Sequence, residues 1–445
     1  MSTYNLLKGH NIQLKGEPVK SIVSSISGDS FAVHPSQYKG MKPKLLVKEG
    51  DVVKIGDPLF YDKTKELVKV VSPVSGKVES VVFGKRRVIE KISIIKEGES
   101  SVSLNHHNLD IDGAQFKDFL LESGLWSCLR QRPFSKVPDP GIKPRAIFLN
   151  MHQTAPFSLD LEEVLSEHKD ALASGMRLLG NLTDGDIFLS LKKGSTFFDD
   201  CDLGNVKVNY FNGPHPSGNI GVQIHHIEPI ANKNDTVYYL SMQNLLSIVK
   251  TFQTGEYCFD KIIACGGSGV QDPGYYRIKQ GAVIKDIVGE IDSQKYRIIS
   301  GDVLSGSIVA QGDSLNAFDE TLSIIPEIQE REFVGWALPG LKKYSLSNTF
   351  ISSALTKDKT DLQTGLNGSI RAIIPFGRWE KVLPMDIYPD FLIKSILSED
   401  IDQMEKLGIY ECDPEDFALC AFACQSKVEV SQIIDKGLAL IEREG

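Results

Sequence analysis

Residues 27–96 are punctuated by turns so regularly that they constrain the fold more than any other part of the chain. Short runs of Val, Ile and Leu alternate there with polar residues, and Gly50-Asp51, Gly56-Asp57, Ser75-Gly76 and Gly84 interrupt them. Alternation with a period of two is typical of strands with one buried face, and such glycine pairs are typical of tight turns. This part of the chain is therefore predicted to be a small all-β module.

Two phrases of this module, EGDVVKIGDPL at 49–59 and SPVSGKV at 72–78, resemble the biotinyl/lipoyl half-barrel, in which two similar hairpins stack on each other. In that family the modified lysine lies eight residues before the proline of the second phrase, which here gives Lys65. One interpretation is a swinging arm with lipoyl or biotin on Lys65. The other is that the scaffold persists without its arm, which the lack of a Met-Lys-Met or Asp-Lys-Ala sequence at Lys65 favours.

Length and charge limit the classes of protein to consider. The chain has 445 residues, enough for about three domains of roughly 150 residues. Hydrophobic residues make up 41% and charged residues 24%, as in ordinary globular proteins. The net charge of −9 is spread along the chain without a long basic run, so we expect no nucleic acid as a partner.

The sequence shows no direct membrane span, because no stretch approaches the ~18 apolar residues that a span needs. The first 16 residues carry Lys8, His10 and Lys15 but lack the apolar core of a signal peptide. Seven cysteines form no regular disulfide framework and indicate reduced thiols. We therefore expect a cytoplasmic chain that reaches a membrane only through partners.

The rest of the chain predicts an α+β multidomain protein. After an N-terminal segment and half-barrel (1–100), residues 101–136 read as a connector whose helix Pro133 ends or kinks. Residues 137–260 alternate strand patterns (RAIFLNM, VKVNYFNG, QIHHIEPI, TVYYLSM) with helical ones (LDLEEVLSEHKDALASGMRLLG, NLLSIVKTF), which predicts a Rossmann-like α/β domain.

Residues 261–345 again consist of short strands and turns, including EFVGWALPG at 332–340, and predict a small β-rich domain. Residues 346–445 predict a helical domain, because apolar residues recur at i, i+3, i+4 and i+7. One helix is predicted to start at Asp413, followed by Pro414 and the acids Glu415 and Asp416.

Several motifs fall short of a catalytic or cofactor site. KIIACGGSG at 261–269 runs into Pro273 and Gly274 rather than a helix, so we predict a tight turn instead of a dinucleotide site. Cys412, Cys420 and Cys424 lack the close spacing of iron–sulfur ligands and are interpreted as buried thiols. No hydrolase, metalloprotease, P-loop or kinase signature occurs, and no autonomous catalytic site is expected.

Three histidines raise the question of a metal site. If QIHHIEP is a strand, His225 and His226 point to opposite faces and cannot both join His215 at one ion. We therefore interpret them as hydrogen-bonded structural histidines and expect no bound metal.

Long phrases, among them QRPFSKVP (131–138), FNGPHPSGNIGVQIHHIEP (211–229) and RIISGDVLSGS (297–307), resemble the NqrA family of the sodium-translocating NADH:quinone oxidoreductase. The resemblance runs nearly end to end. It implies an SLBB/ubiquitin-like fold for the β-rich domain and a peripheral subunit docked on partner subunits B to F of a six-subunit pump of the inner membrane. It also implies that flavins and NADH belong to those partners, that quinone is a substrate of the complex, and that this chain binds no cofactor. The family is similar to the C component of the Rnf complex and to the flavin subunit of complex I.

One segment has the chemistry to contact a quinone, whose flat ring carries two carbonyl acceptors. Arg130 and Arg132 could donate to a carbonyl, and Trp126 or Phe134 could stack on the ring, on a helix end that Pro133 interrupts. The alternative is an interdomain connector whose arginines pair with acids and whose aromatic side chains fill a core.

Two other functions remain open from the sequence. A swinging-arm carrier protein built on the half-barrel would carry a mass increment on Lys65. A free-standing Rnf-like electron-transfer protein would carry an iron chromophore.

Overall fold

The computed structural model of the protein describes residues 2–107, 113–328, 338–341, 343–346, 350–352, 359–366 and 368–445. The predicted α+β multidomain fold is confirmed, with a barrel-sandwich module, an α/β domain, a β-rich domain and C-terminal helices in chain order. Residues 332–337 of the predicted strand EFVGWALPG lie outside the described residues.

The half-barrel consists of two small antiparallel sheets that share an apolar core. Its strands are β3 (Ser30–Val33), β4 (Pro43–Leu45), β5 (Val52–Val53), β6 (Pro58–Asp62), β7 (Lys65–Val71), β8 (Gly76–Phe83) and β9 (Ile89–Lys96). They form sheets of order β3-β9-β8-β5 and β4-β6-β7. Alternate side chains such as Val68, Val70 and Val78 face the core, as the sequence pattern predicts.

The α/β domain is built on a mostly parallel sheet. Its strands are β10 (Arg130–Arg132), β11 (Ile147–Asn150), β12 (Ile187–Lys192), β13 (Lys207–Asn212) and β14 (Val237–Ser241). The parallel strands have the order β13-β12-β11-β14, the order of a Rossmann-type sheet, and β10 adds antiparallel to β14. Continuous apolar runs such as Ile147–Leu149 fit strands that are buried on both faces.

The helices described in this domain are α1 (Gly113–Glu122), α2 (Leu161–Val164), α3 (Lys169–Leu179), α4 (Ile220–Ile227) and α5 (Met242–Thr254). Helices α3 and α5 pack closely at Gly175, where a Cβ atom would lie 2.4 Å from Val249 Cγ2. The strand predicted for QIHHIEPI is wrong, since those residues continue α4. Ile220, Ile224 and Ile227 repeat at i, i+4 and i+7, a helical period that becomes visible only when Ile220 is included.

The β-rich domain has the strands β15 (Asp260–Gly266), β16 (Gly274–Lys279), β17 (Tyr296–Ser300), β18 (Ser307–Ile308) and β19 (Thr321–Pro326), and helix α6 (Ile284–Val288). The C-terminal helices are α7 (Trp379–Val382), α8 (Pro389–Leu397), α9 (Ile401–Lys406), α10 (Ala418–Ala423) and α11 (Val430–Glu444). They share an apolar core with one face of the α/β sheet, where Phe148 and Phe211 meet Phe417.

The first 25 residues supply strands to two sheets outside the half-barrel. Strand β1 (Ser2–Asn5) adds parallel to β13, and β2 (Val19–Ser25) adds parallel to β16. The chain therefore ties the α/β and β-rich domains together before it enters the half-barrel. Within the described ranges, no helix combines the length and the hydropathy that crossing a bilayer requires.

Candidate functional site

The segment predicted to contact quinone lies at the junction between the α/β domain and its neighbours. It forms a 3-10 turn, Leu125–Cys128, followed by strand β10, so the predicted helix end is wrong. The physical reason is Pro133, which disfavours helical dihedral angles at Arg132 and pushes that residue toward an extended conformation. Strand β10 pairs with β14 through Arg130↔Tyr239 and Arg132↔Val237.

Arg132 is buried and bound to acids of the C-terminal domain. Its guanidinium Nη2 donates to Glu415 Oε1 at 2.7 Å, and Nη1 lies 3.4 Å from Asp416 Oδ2 and 3.5 Å from Asp413 Oδ2. Only 1% of the Arg132 side chain is exposed. Burial raises the pKa of the Asp416 carboxyl to about 6, against the opposing effect of Arg132.

Trp126 and Phe134 are buried in the same junction. Trp126 Nε1 donates to Pro138 O at 3.0 Å, and its ring packs edge-on against Tyr238. Phe134 packs edge-on against Tyr410 of the C-terminal domain, with ring centroids 6.2 Å apart. Together with the ion pairs of Arg132, these are the contacts of an interdomain connector.

Arg130 differs from the other three residues because it faces a cleft. Its guanidinium carbon lies 3.6 Å from the centroid of the Phe318 ring, a cation–π contact. Its Nη1 atom is buried and has no hydrogen-bond partner within the described part of the chain. Arg130 therefore retains donor capacity that the protein itself does not use.

The cleft has an empty volume of about 600 Å³ and opens where three domains meet. Its walls come from the half-barrel, from the 3-10 turn and α5 of the α/β domain, and from the β-rich domain. They include Tyr38 and Val70, Leu125 and Cys128, and Leu315 and Phe318. Most of these side chains are apolar or aromatic, so the cleft suits a ligand with a flat ring and apolar substituents.

A buried lysine, which the sequence analysis missed, lies behind this cleft. Lys261 Nζ donates to Ala317 O at 3.0 Å and to Asp319 O at 2.8 Å, and burial lowers the pKa of its ammonium. The signal was present in the sequence, because Lys261 is in phase with the apolar residues Ile263 and Cys265 of β15. Lys261 anchors the loop that carries Phe318.

The carboxyl edge of the α/β sheet is occupied by side chains of the protein. Open α/β sheets bind ligands at this edge, next to the strand where the order reverses. Here Asn150 Nδ2 donates to Gly218 O at 2.6 Å, Gln223 Nε2 donates to Asn150 Oδ1 at 3.0 Å, and His152 Nε2 lies 3.2 Å from Ser217 Oγ. This network leaves the dinucleotide position of the sheet filled.

The glycine turn predicted at 266–269 connects strands β15 and β16 as a hairpin. Gly267 has a φ of +106°, and Val270 N donates to Gly267 O at 3.1 Å. A β-strand follows it rather than a helix, so the tight turn is confirmed.

The three histidines have separate partners. His225 Nδ1 lies 2.7 Å from Glu411 Oε2, His226 Nε2 lies 2.7 Å from Pro384 O, and His215 Nδ1 lies 3.3 Å from Thr154 Oγ1. They are structural histidines, although His225 and His226 lie on a helix. Across the ranges that the structure describes, no three His, Cys, Asp or Glu side chains are grouped to hold a metal ion.

Lys65 follows the two-residue turn between β6 and β7. Asp62 stabilises that turn, because its Oδ1 accepts from Thr64 N at 3.0 Å and from Lys42 N at 3.1 Å. Lys65 Nζ forms an ion pair at 3.3 Å with Asp139 of the α/β domain, and 26% of the lysine side chain is exposed. The tip of the hairpin is thus docked on a neighbouring domain.

Family models match three parts of the chain in order. They are described as the NqrA N-terminal barrel-sandwich hybrid domain (residues 4–97), the NqrA second alpha/beta domain (111–257) and the NQRA C-terminal domain (262–311). The fold and these matches define a multidomain chain of the NqrA type.

Curated relatives match the whole chain. Two proteins, from Yersinia pseudotuberculosis and Histophilus somni, bear the name of the NqrA subunit of the Na(+)-translocating NADH-quinone reductase. Each is 36% identical over 444 residues, covering 98% of this chain and 99% of the relative. The chain belongs to this family, as the sequence predicts. Among solved structures, an NAD+-reducing [NiFe]-hydrogenase in the H2-reduced state matches with a TM-score of 0.39 and 12% identity over 77% of this chain and 67% of that chain.

Proposed function

We propose that the protein is a cytoplasmic peripheral subunit of a Na+-pumping NADH:quinone oxidoreductase of the respiratory chain and contributes to quinone reduction coupled to Na+ export. The observation that carries this proposal is 36% identity over 98% of the chain to relatives named as the NqrA subunit of that reductase. In this proposal subunits B to F carry NADH oxidation, the flavins and the membrane spans, and this chain binds no cofactor of its own.

We further propose that quinone contacts the cleft beside Arg130. The cleft offers an aromatic wall at Phe318, and Arg130 Nη1 is a buried donor without a partner in the described residues. A quinone carbonyl is an acceptor that would satisfy this donor. Trp126, Arg132 and Phe134, the other residues of the predicted segment, support the junction through contacts already described.

Assembly tests the first proposal. A tagged chain, purified with the complex from detergent-solubilised membranes, is expected to retain the partner subunits and their NADH:quinone activity. Recovery of the chain alone, with the activity left in a separate fraction, would contradict it.

Steady-state kinetics test the contact with quinone. Arg130→Ala in the assembled complex is expected to raise the KM for quinone about tenfold, because a hydrogen bond from a charged donor contributes about 1.5–3 kcal/mol. The KM for NADH should not change. Arg443→Ala is the matched control, since Arg443 is exposed and pairs only with Glu444 among the described residues. An unchanged KM for quinone in the assembled variant would refute the contact.

A further inference from the structure

The hairpin between β8 and β9 ends in an exposed tip that is both cationic and apolar. Its residues are Phe83-Gly84-Lys85-Arg86-Arg87-Val88, here called the cationic tip. Phe83 is 48% exposed and Val88 is 55% exposed, on the two sides of the turn. Lys85, Arg86 and Arg87 between them are also exposed.

The three cations of the tip are not used by the fold. Neither Lys85 nor Arg86 nor Arg87 forms an ion pair or a side-chain hydrogen bond with any described residue. The chain as a whole carries a net charge of −9, so three adjacent free cations stand out against an acidic molecule. Their charge is available to an external anion.

The backbone of the turn makes the choice of arginine costly. Arg86 and Arg87 have φ values of +57° and +58°, and Val88 N donates to Lys85 O at 3.3 Å across them. This is a type I′ turn, whose two central positions favour Asn and Gly because a left-handed conformation crowds a Cβ atom. The sequence keeps two arginines where Asn-Gly would fold more easily, which indicates that the charges serve a purpose other than folding.

We propose that the cationic tip binds the anionic surface of a phospholipid bilayer. Lys85, Arg86 and Arg87 would lie at the level of the phosphates, and Phe83 and Val88 would enter the boundary between headgroups and acyl chains. The protein would then touch the membrane directly as well as through its partners.

A lipid surface suits the tip better than an acidic protein does. A hairpin turn is narrow and convex, whereas a specific protein interface usually buries about 800 Å² on each partner. A bilayer needs no complementary shape, and a few basic and apolar side chains are enough for weak, reversible binding.

Sedimentation with vesicles tests this inference on the purified full chain, without any enzymatic readout. The probe vesicles contain phosphatidylcholine with 30 mol% phosphatidylglycerol, and vesicles of phosphatidylcholine alone serve as the neutral reference. The chain should bind the anionic vesicles and not the neutral ones. Because each cation near such a surface contributes to binding, the triple variant Lys85→Ala/Arg86→Ala/Arg87→Ala should bind about 100-fold more weakly.

A matched control removes three other cations from the same module. Lys48, Lys54 and Lys77 are exposed and lie toward the opposite end of β8, so changing all three to Ala alters the net charge equally. This control is expected to bind the vesicles within about threefold of the unmodified chain, because charges farther than about 10 Å from the surface are screened. Equal losses in the control and the tip variant would overturn the inference.

A second variant separates binding from folding. Arg86→Asn/Arg87→Gly should resist denaturant better than the unmodified chain, because the turn is relieved, yet bind anionic vesicles about 30-fold more weakly. No binding by the unmodified chain, or membrane binding that requires the partner subunits, would assign the tip to a protein surface and refute lipid contact.

Discussion

Arg132 Nη2 donates to Glu415 Oε1 at 2.7 Å, which joins strand β10 to the segment before α10 across 283 residues of sequence. Asp413 and Asp416 lie on the other side of the same guanidinium. A cation buried among three carboxylates orients both chain segments, because each acid is stable in that position only while the arginine is present. This cluster fixes the C-terminal helices against the α/β domain.

Replacing the arginine should weaken that junction strongly. In Arg132→Met the acids Asp413 and Asp416 keep their buried positions without a counterion, and breaking a buried pair in this way costs about 3–5 kcal/mol. The free energy of unfolding, measured by chemical denaturation with circular dichroism, is expected to fall by that amount. Arg443→Ala, which breaks an exposed pair with Glu444, should change it by less than about 1 kcal/mol. Similar values for the two variants would contradict the role assigned to Arg132.

The same cluster should make stability depend on pH. Burial raises the pKa of Asp416 to about 6, whereas an aspartate in the unfolded chain titrates near 3.9. Between these two values the folded protein binds more protons than the unfolded chain, so the free energy of unfolding falls as the pH rises from about 4 to 6. Asp416→Asn removes this component, and its stability relative to the unmodified chain should improve by about 2–3 kcal/mol over that range. Denaturation curves at several pH values measure the difference, and a constant difference between the two proteins would disprove the assignment.

The Asp413–Asp416 segment shows where sequence analysis reached its limit. An acid, a proline and two further acids are typical of a helix start, and this local pattern predicts a helix from Asp413. Helix α10 begins at Ala418 instead, and the acids turn toward Arg132. Local preference lost to an ion cluster whose cation lies about 280 residues earlier, and no short window of sequence contains both partners.

The half-barrel was predictable for the opposite reason. Its glycine turns and alternating strands are local, and each hairpin pairs neighbours in sequence. Strands β1 and β2 were not predicted, because their partners β13 and β16 follow about 200 and 250 residues later. The cleft beside Arg130 also escaped prediction, since its walls come from three domains.

Lys65 should be an ordinary surface lysine. Its ion pair with Asp139 joins partly exposed groups, so Lys65→Ala is expected to change the free energy of unfolding by less than about 1 kcal/mol. Asp139→Asn should produce a similar change, and the double variant should add little to either. The intact mass of the protein from cells should equal the sequence mass, and the variant complex should keep its NADH:quinone activity. A mass raised by a lipoyl or biotinyl group would contradict this prediction.

The cysteines of the C-terminal domain should behave as core thiols rather than as metal ligands. Cys412 and Cys420 are fully buried, with Sγ atoms directed at the carbonyls of Gly408 and Trp379, and burial raises the pKa of both thiols. Iodoacetamide should therefore modify the partly exposed Cys201 first and reach Cys412, Cys420 and Cys424 only after unfolding. Mass spectrometry of peptides after timed labelling measures the order.

Protection alone does not distinguish a buried thiol from a thiolate bound to metal, so the labelling is repeated after treatment with a chelator. If the three cysteines are core thiols, the chelator leaves their labelling rates unchanged, and elemental analysis finds iron and zinc far below one atom per chain. A metal site would instead release reactive thiolates when the metal is removed, because ligand cysteines are deprotonated. Faster labelling of Cys420 and Cys424 together with stoichiometric metal would therefore reverse the conclusion drawn from their burial.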